Sequence, residues 1–251
     1  MGEQVVGHLF GVFGCHGLHN CRLAMLTVYF DESGIHEGDH LCVVAGFVGD
    51  EDQWTAFVAE WTEALKPRKN LHLSDLRWNQ QTNRIARLLA RLGPIPERHG
   101  LTRIVGGIWH RDYHAVVEPR AADKFAKPWM FATQVCIHQT LRFIPKDERI
   151  AFVFEEQRGY KEVAHALYEQ VFRLGQIDQR VVGLSFVKKN STICIDPADY
   201  LAFEVREYEM DKNSLRAKLG LSILGNGEVV GHIWEAAQIQ KVVDVWGAKG
   251  V

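Results

Sequence analysis

The feature that most constrains this chain is the regular alternation of short apolar segments with helical patterns from residue 25 onward. β-Branched and aromatic residues at 26–30 and 41–48, separated by a polar turn at 36–39, predict an antiparallel hairpin. This alternation is typical of an α/β domain with a mixed central sheet and helices on both faces. Further strands are predicted at 101–109, 150–154 and 181–187, and helices at 50–65, 82–92, 124–143, 160–174, 197–210 and 234–245.

Composition narrows the possible functions. With 31 acidic and 29 basic residues, the net charge of −2 gives no general attraction for nucleic acid or anionic lipid, so a polyanion must bind at a local basic surface. No apolar run is long enough to span a membrane, and we expect no membrane partner. The five cysteines are odd in number and include no CxxC pair, which favours reduced thiols and a cytoplasmic location.

Residues 1–24 differ from the rest of the chain. They are rich in glycine and histidine and show neither helical nor strand periodicity, so we expect a poorly ordered extension before one domain that covers residues 25–251. Cys15, His16, His19 and Cys21 offer an alternative interpretation, because thiolate and imidazole groups bind zinc. Their spacing matches no common zinc finger, which favours the extension.

Three acidic pairs lie where apolar strands end or where a helix begins: Asp31 and Glu32, Glu155 and Glu156, Asp196 and Asp199. Strand ends open onto the crevice where α/β proteins bind ligands. Two carboxylates about 4 Å apart repel by roughly 4 kcal/mol at an effective dielectric constant near 20, so a converging set needs protons or a cation. Because all the ligands are hard oxygens, the expected cofactor is Mg²⁺ or Mn²⁺.

Each acid also has a purely structural interpretation. Asp31 can open a turn that ends at Gly34, and the two glutamates at the strand exit can simply be solvated. Asp196 followed by Pro197 is the expected N-cap and first residue of a helix. Asp199 would then interact with the helix dipole, although it lies at the margin of the buried stripe of that helix.

Four motifs together resemble a known family. They are Tyr29-Phe-Asp-Glu-Ser-Gly34, Leu71-His-Leu-Ser-Asp75, Phe152-Val-Phe-Glu-Glu156 and Ile195-Asp-Pro-Ala-Asp-Tyr-Leu-Ala202. In this order, from about Met25 to Met210, they resemble the bacterial family catalogued as domain of unknown function 3800. The resemblance implies a ribonuclease H-like fold.

The resemblance also implies which acids bind metal. It indicates Asp31 on the first strand, Glu155 on the fourth strand and Asp199 on the final helix. This chain has a Glu-Glu pair where the family usually has Asp-Glu, so Glu156 is an alternative ligand. Asp196 is likewise a second candidate on the final helix.

Two further groups of residues are candidates for a role in phosphodiester hydrolysis. His72 is a candidate proton shuttle with Asp75 holding its tautomer, and Glu32 is a second candidate for proton transfer. A helix cap formed by Ser74 and Asp75 is the alternative.

Lys188 and Lys189 precede the last acidic motif, and we expect them to contact nucleic-acid phosphates. Other basic candidates, for which a solvated surface is the alternative, are Lys66, Arg68, Lys69, Arg84, Arg87 and Arg91.

Two functions of different classes follow. The first is a metal-dependent nuclease that hydrolyses phosphodiester bonds in DNA or RNA. The second is a catalytically inactive module of the same fold that binds nucleic acid or a protein. Phosphate-binding loops of the GxxxxGK type, GxSxG and HExxH are all absent from the sequence, which argues against Walker-type, serine-hydrolase and zincin chemistry.

Overall fold

A computed structural model describes residues 25–36, 38–73, 78–121, 125–156, 178–188, 190–214, 217–218, 220, 222, 225 and 227–248. The extension 1–24 and the helix predicted at 160–174 lie outside these residues. The strands are β1 Met25–Ser33, β2 Leu41–Gly49, β3 Thr102–Trp109, β4 Arg149–Glu156, β5 Val181–Lys188 and β6 Val229–Trp234. They form one six-stranded sheet in the order β5-β4-β1-β2-β3-β6.

The sheet is mixed because one strand runs against all its neighbours. β2 pairs antiparallel with β1 and with β3, whereas the β1–β4, β4–β5 and β3–β6 pairs are parallel. The predicted α/β class, mixed sheet and N-terminal hairpin are therefore confirmed. The carboxyl ends of β1, β4 and β5 consequently lie together, and we call this end of the sheet the carboxyl edge.

Eight α-helices are described, together with a π-helix at Tyr113–Val117 and a 3-10 helix at Ile193–Ile195. The α-helices are α1 Glu51–Leu65, α2 Trp78–Leu92, α3 Ile95–Arg98, α4 His110–Asp112, α5 Glu118–Ala121, α6 Pro128–Phe143, α7 Asp196–Met210 and α8 Ala236–Ala248. A capping box between Asp50 and Gln53 begins α1, where both side chains bond to the backbone N–H of the other residue. In the described part of the chain, every helix is too short or too polar to cross a bilayer.

One face of the sheet, the first face, is covered by α6 and α8. Phe30, Phe152 and Phe154 project from β1 and β4 into the same apolar cluster as Phe131 of α6 and Ile239 of α8. Each of these five side chains is buried, which makes this face a continuous aromatic and aliphatic core.

The other face, the second face, is covered by α1, α2 and α7. Trp54, Phe57 and Trp61 lie three to four residues apart along α1 and form its buried stripe. They join Leu89 of α2 and Leu201 of α7 in a second apolar cluster. The predicted helices on both sides of the sheet are therefore present.

The structure differs from the sequence prediction at three helix starts, and the first is that α2 begins at Trp78 and not near 82. α6 begins at Pro128, not near 124, because proline favours the first helical position and Lys127 before it is extended. The last helix begins at Ala236, and Trp234 belongs to the unpredicted strand β6. Gly231 permits this strand: its φ is 110°, and a Cβ there would lie 1.9 Å from the Val105 carbonyl oxygen.

Candidate active site at the carboxyl edge of the sheet

Strand alternation turns Asp31 and Glu155 to the same side. Tyr29 and Val153 are paired in register between β1 and β4, and both belong to the cluster on the second face. Asp31 and Glu155 are each two residues further along and therefore point to that same face. They are buried, with only 3% and 7% of their surface exposed.

Glu32 and Glu156 follow these two acids and face the opposite way. Phe30 and Phe154, two residues before them, belong to the cluster on the first face. Glu156 is also paired in register with Lys188 at the end of β5. Of the two glutamates that the sequence left as alternatives, Glu155 is therefore the one beside Asp31.

Asp196 holds a loop in place. Its Oδ2 accepts a hydrogen bond of 2.7 Å from the backbone N–H of Leu71 and one of 3.2 Å from the indole Nε1 of Trp61. The predicted N-cap role is wrong, because α7 begins at Asp196 itself and Ile195 is the cap residue. Burial raises the pKa of Asp196 to about 7, and the two hydrogen bonds oppose that rise.

Asp199 lies one helical turn further on and binds the same loop. Its Oδ2 accepts hydrogen bonds from the backbone N–H of Leu73 at 2.9 Å and from Nδ1 of His72 at 3.0 Å. The sequence prediction paired His72 with Asp75, which lies outside the described residues. Asp199 instead fixes the His72 ring, which keeps 22% of its side-chain surface exposed.

The electrostatics of Asp31 show that the acids are close. Burial raises the pKa of Asp31 well above its ordinary value, and the nearby charges of Glu32, Asp199 and Glu155 raise it further. The backbone N–H of Glu32, which donates to Asp31 Oδ1 at 2.9 Å, acts in the opposite direction. Asp31 thus lies among three other carboxylates contributed by β1, β4 and α7.

The donor set is one that a hard divalent cation prefers, because every carboxylate at the carboxyl edge offers oxygen. Both hydrogen bonds of Asp199 use Oδ2, so Oδ1 bonds to no other described residue. Among the described residues, however, no three His, Cys, Asp and Glu side chains are grouped so that they could hold a metal ion by themselves.

The predicted lysines lie beside the acids in sequence. Lys188 ends β5, is exposed and is turned by strand alternation to the first face, away from Asp31; Lys189 lies outside the described residues. The turn that follows contacts the 66–73 loop, where Asn70 Nδ2 donates to Asn190 Oδ1 at 2.5 Å.

Three contacts of this site were missed by sequence reasoning. The indole of Trp61 and the backbone N–H groups of Leu71 and Leu73 bind the α7 aspartates, although Trp61 has the spacing of an ordinary core residue.

Comparison with protein-family models gives no match, and no significantly similar curated protein is found.

Proposed function

We propose that the protein is a metal-dependent nuclease, with a ribonuclease H-like domain that hydrolyses phosphodiester bonds in DNA or RNA. One observation carries the proposal. Asp31, Glu155 and Asp199 are far apart in sequence, yet Asp31 and Glu155 are buried on the same face of the paired strands β1 and β4, and the charges of Glu155 and Asp199 raise the pKa of Asp31. Buried carboxylates that repel one another cost stability and are typical of sites that bind a cation.

Asp31, Glu155 and Asp199 are the candidate ligands for Mg²⁺ or Mn²⁺, with at most two of them on one ion. Mg²⁺ usually binds one or two carboxylates and fills its other positions with water and substrate phosphate, so a complete protein ligand shell is not required. When bound, such an ion stabilises charge on a phosphoryl oxygen and lowers the pKa of water. Asp196 is not assigned to this set because, unlike Asp199, it is not among the acids whose charges raise the pKa of Asp31.

His72 has the position of a proton carrier. Its Nδ1–H donates to Asp199, which fixes the orientation of the ring that would exchange a proton with the leaving oxygen. The partial exposure of the ring lets a substrate reach it. Glu32 acts on the site through its charge, by raising the pKa of Asp31.

The arrangement of the sheet supports the fold part of the proposal. A mixed sheet with one reversed strand, helices on both faces and acids at the carboxyl edge is compatible with a ribonuclease H-like domain. Architecture alone does not specify an activity, so the acids carry the functional argument.

Cleavage assays on single- and double-stranded DNA, RNA and a hybrid, each with Mg²⁺, Mn²⁺ or EDTA, test the proposal. We expect cleavage that EDTA abolishes and that Asp31→Asn and Asp199→Asn each reduce by at least about 100-fold, because each removes a charged oxygen ligand. A far-ultraviolet circular dichroism spectrum checks that both variants fold. Metal-dependent cleavage that survives both substitutions would contradict the assignment.

A catalytically inactive binding module is the second candidate. It is favoured by the hydrogen bonds through which Asp196 and Asp199 hold the 71–73 loop, since both acids then have a structural role. The two candidates differ in their response to metal. The nuclease is stabilised by millimolar Mg²⁺ or Mn²⁺ through Asp31, whereas the inactive module melts at the same temperature with either ion or with EDTA.

A further inference from the structure

A basic groove is joined to the candidate active site through the 66–73 loop. It has a volume of about 430 Å³ and is formed by the end of α1, the residues that follow it and the outer side of α2. Its apolar floor includes Leu65, Ile85 and Leu88. Five cationic side chains line it: Lys66, Arg68, Arg84, Arg87 and Arg91.

The charge of this basic groove is concentrated and largely unpaired. No acidic side chain is among its described lining residues, although the whole chain carries a net charge of −2. Arg84, Arg87 and Arg91 are exposed on α2 and form no ion pair with another described residue. Lys66 does pair with Glu63, but both side chains are mostly exposed, where such pairs contribute little. The groove therefore offers a local positive field to an anion.

The spacing of the arginines suits a chain of phosphates better than a single one. Arg84, Arg87 and Arg91 lie on one side of α2 at intervals of three and four residues. From first to last the helix rises by about 10 Å at 1.5 Å per residue. One strand of a DNA duplex carries a phosphate every 3.4 Å along its axis, so this row matches the rise of about three nucleotides.

The basic groove is connected to the acids by a short, anchored segment. Arg68 of the groove and His72 of the site are four residues apart, so their Cα atoms are separated by at most about 14 Å. Leu71 and His72 are hydrogen-bonded to the α7 aspartates, which fixes the end of this segment. The Arg68 end of the groove is therefore within about 14 Å of His72.

We propose that the basic groove binds the phosphodiester backbone of the nucleic-acid substrate and positions one strand for cleavage at the carboxyl edge. The inference rests on the proposed nuclease function for the class of ligand. Arg84, Arg87 and Arg91 contact phosphates along one strand and read no base sequence. They are positioning residues, because they would bind the backbone of the substrate and would not contact the bond that is cleaved.

Binding of the full chain to fluorescein-labelled 20-nucleotide single strands of DNA and RNA, and to their duplexes, is measured by anisotropy in EDTA so that no cleavage occurs. The test variant carries Arg84→Ala, Arg87→Ala and Arg91→Ala. The matched control carries Arg142→Ala, Lys146→Ala and Arg149→Ala, which remove three exposed cations from the end of α6, the turn after it and the first residue of β4. Both variants change the net charge equally.

Loss of three phosphate contacts lowers the salt slope for a single strand by about 2, at roughly 0.7 per phosphate. Between 50 and 200 mM salt, the affinity of the unmodified protein should therefore fall about 20-fold more than that of the test variant. The control should keep the full slope. The tightest of the four probes identifies whether DNA or RNA, and which strandedness, the groove accepts.

Equal slopes for the test variant and the unmodified protein would overturn the groove assignment, as would an equal loss in the control. Cleavage is measured separately with Mg²⁺. A reduced slope without any cleavage by the unmodified protein would leave the groove in place and refute the nuclease, whereas Asp31-dependent cleavage with unchanged slopes would do the reverse.

Discussion

The two faces of the sheet differ sharply at the carboxyl edge, although the same strands supply both. On the first face, Phe30 and Phe154 stack with ring centroids 5.3 Å apart, and Phe154 stacks on Phe186 at 5.6 Å. One residue further along, Asp31 and Glu155 are buried on the second face. Burial of the aromatic rings stabilises the fold, whereas burial of the carboxylates costs stability. Because the protein buries these carboxylates despite the loss of stability, we infer that they have a function on the second face.

The largest difference in activity between the two faces is expected from substitution of the adjacent residues Glu155 and Glu156. Glu155→Gln should reduce metal-dependent cleavage by at least about 100-fold because it removes a charged ligand beside Asp31, whereas Glu156→Gln should change it by less than about threefold. Initial rates at saturating Mg²⁺ measure both effects. An equal loss of cleavage from the two substitutions would show that strand alternation does not determine which glutamate binds the metal.

Substitution of a core ring tests the first face. Phe152 is fully buried and lies with its ring centroid 6.3 Å from that of Phe30, so Phe152→Ala should lower the free energy of unfolding by about 3–5 kcal/mol through lost burial and a cavity. Urea denaturation measures this change. Cleavage per folded molecule should stay within about threefold of the unmodified protein. A selective loss of activity would instead link the aromatic layer to the acids.

The pH dependence of stability isolates the anchoring acid. Because the pKa of Asp196 is raised to about 7 in the folded protein, the folded state binds the extra proton and this residue makes stability fall as pH rises from about 4 to 7. Asp196→Asn keeps an oxygen for Leu71 and Trp61 and removes that charge. Its gain over the unmodified protein should be near zero at pH 4 and reach up to about 4 kcal/mol at pH 8. Urea titrations at several pH values measure it, and a constant difference would contradict the assignment.

The smallest expected effect is stabilisation by metal. If Mg²⁺ binds the folded state with a dissociation constant near 1 mM, then 10 mM adds about 1.4 kcal/mol and raises the melting temperature by roughly 3–6 °C. Asp31→Asn should abolish this shift, and Glu156→Gln should retain it. A shift of equal size in all three proteins would place the ion elsewhere.

The sequence predicted the framework and the candidate acids because both depend on local patterns. Apolar runs followed by turn residues marked β1 and β4, and the acids follow those runs directly. The choice between Glu155 and Glu156 could not be made at that stage. β4 is apolar on both faces from Ile150 to Phe154, so its sequence contains no alternation that says which side each residue takes.

Contacts between distant residues were the part that could not be predicted. His72 and Asp199 are 127 residues apart, and their partnership depends on how α7 packs against β1 and the loop after α1. The contacts of Leu71 and Leu73 use backbone N–H groups, which every residue except proline carries, so the side-chain sequence does not reveal them. Strand β6 escaped for a different reason: it is a half-buried edge strand of six residues interrupted by Gly231, which gives a weak pattern.

The paired hydrogen bonds that tie Leu71 and Leu73 to the first turn of α7 have a geometric consequence for any substrate. Lys66 and Arg68, which line the proposed phosphate-binding groove, lie on the segment that these bonds fasten to α7, so this end of the groove would keep a fixed distance from the acids. The distance from the bound nucleotides to the scissile bond would then be fixed. Cleavage would therefore release products whose ends lie at a uniform distance from the bound nucleotides.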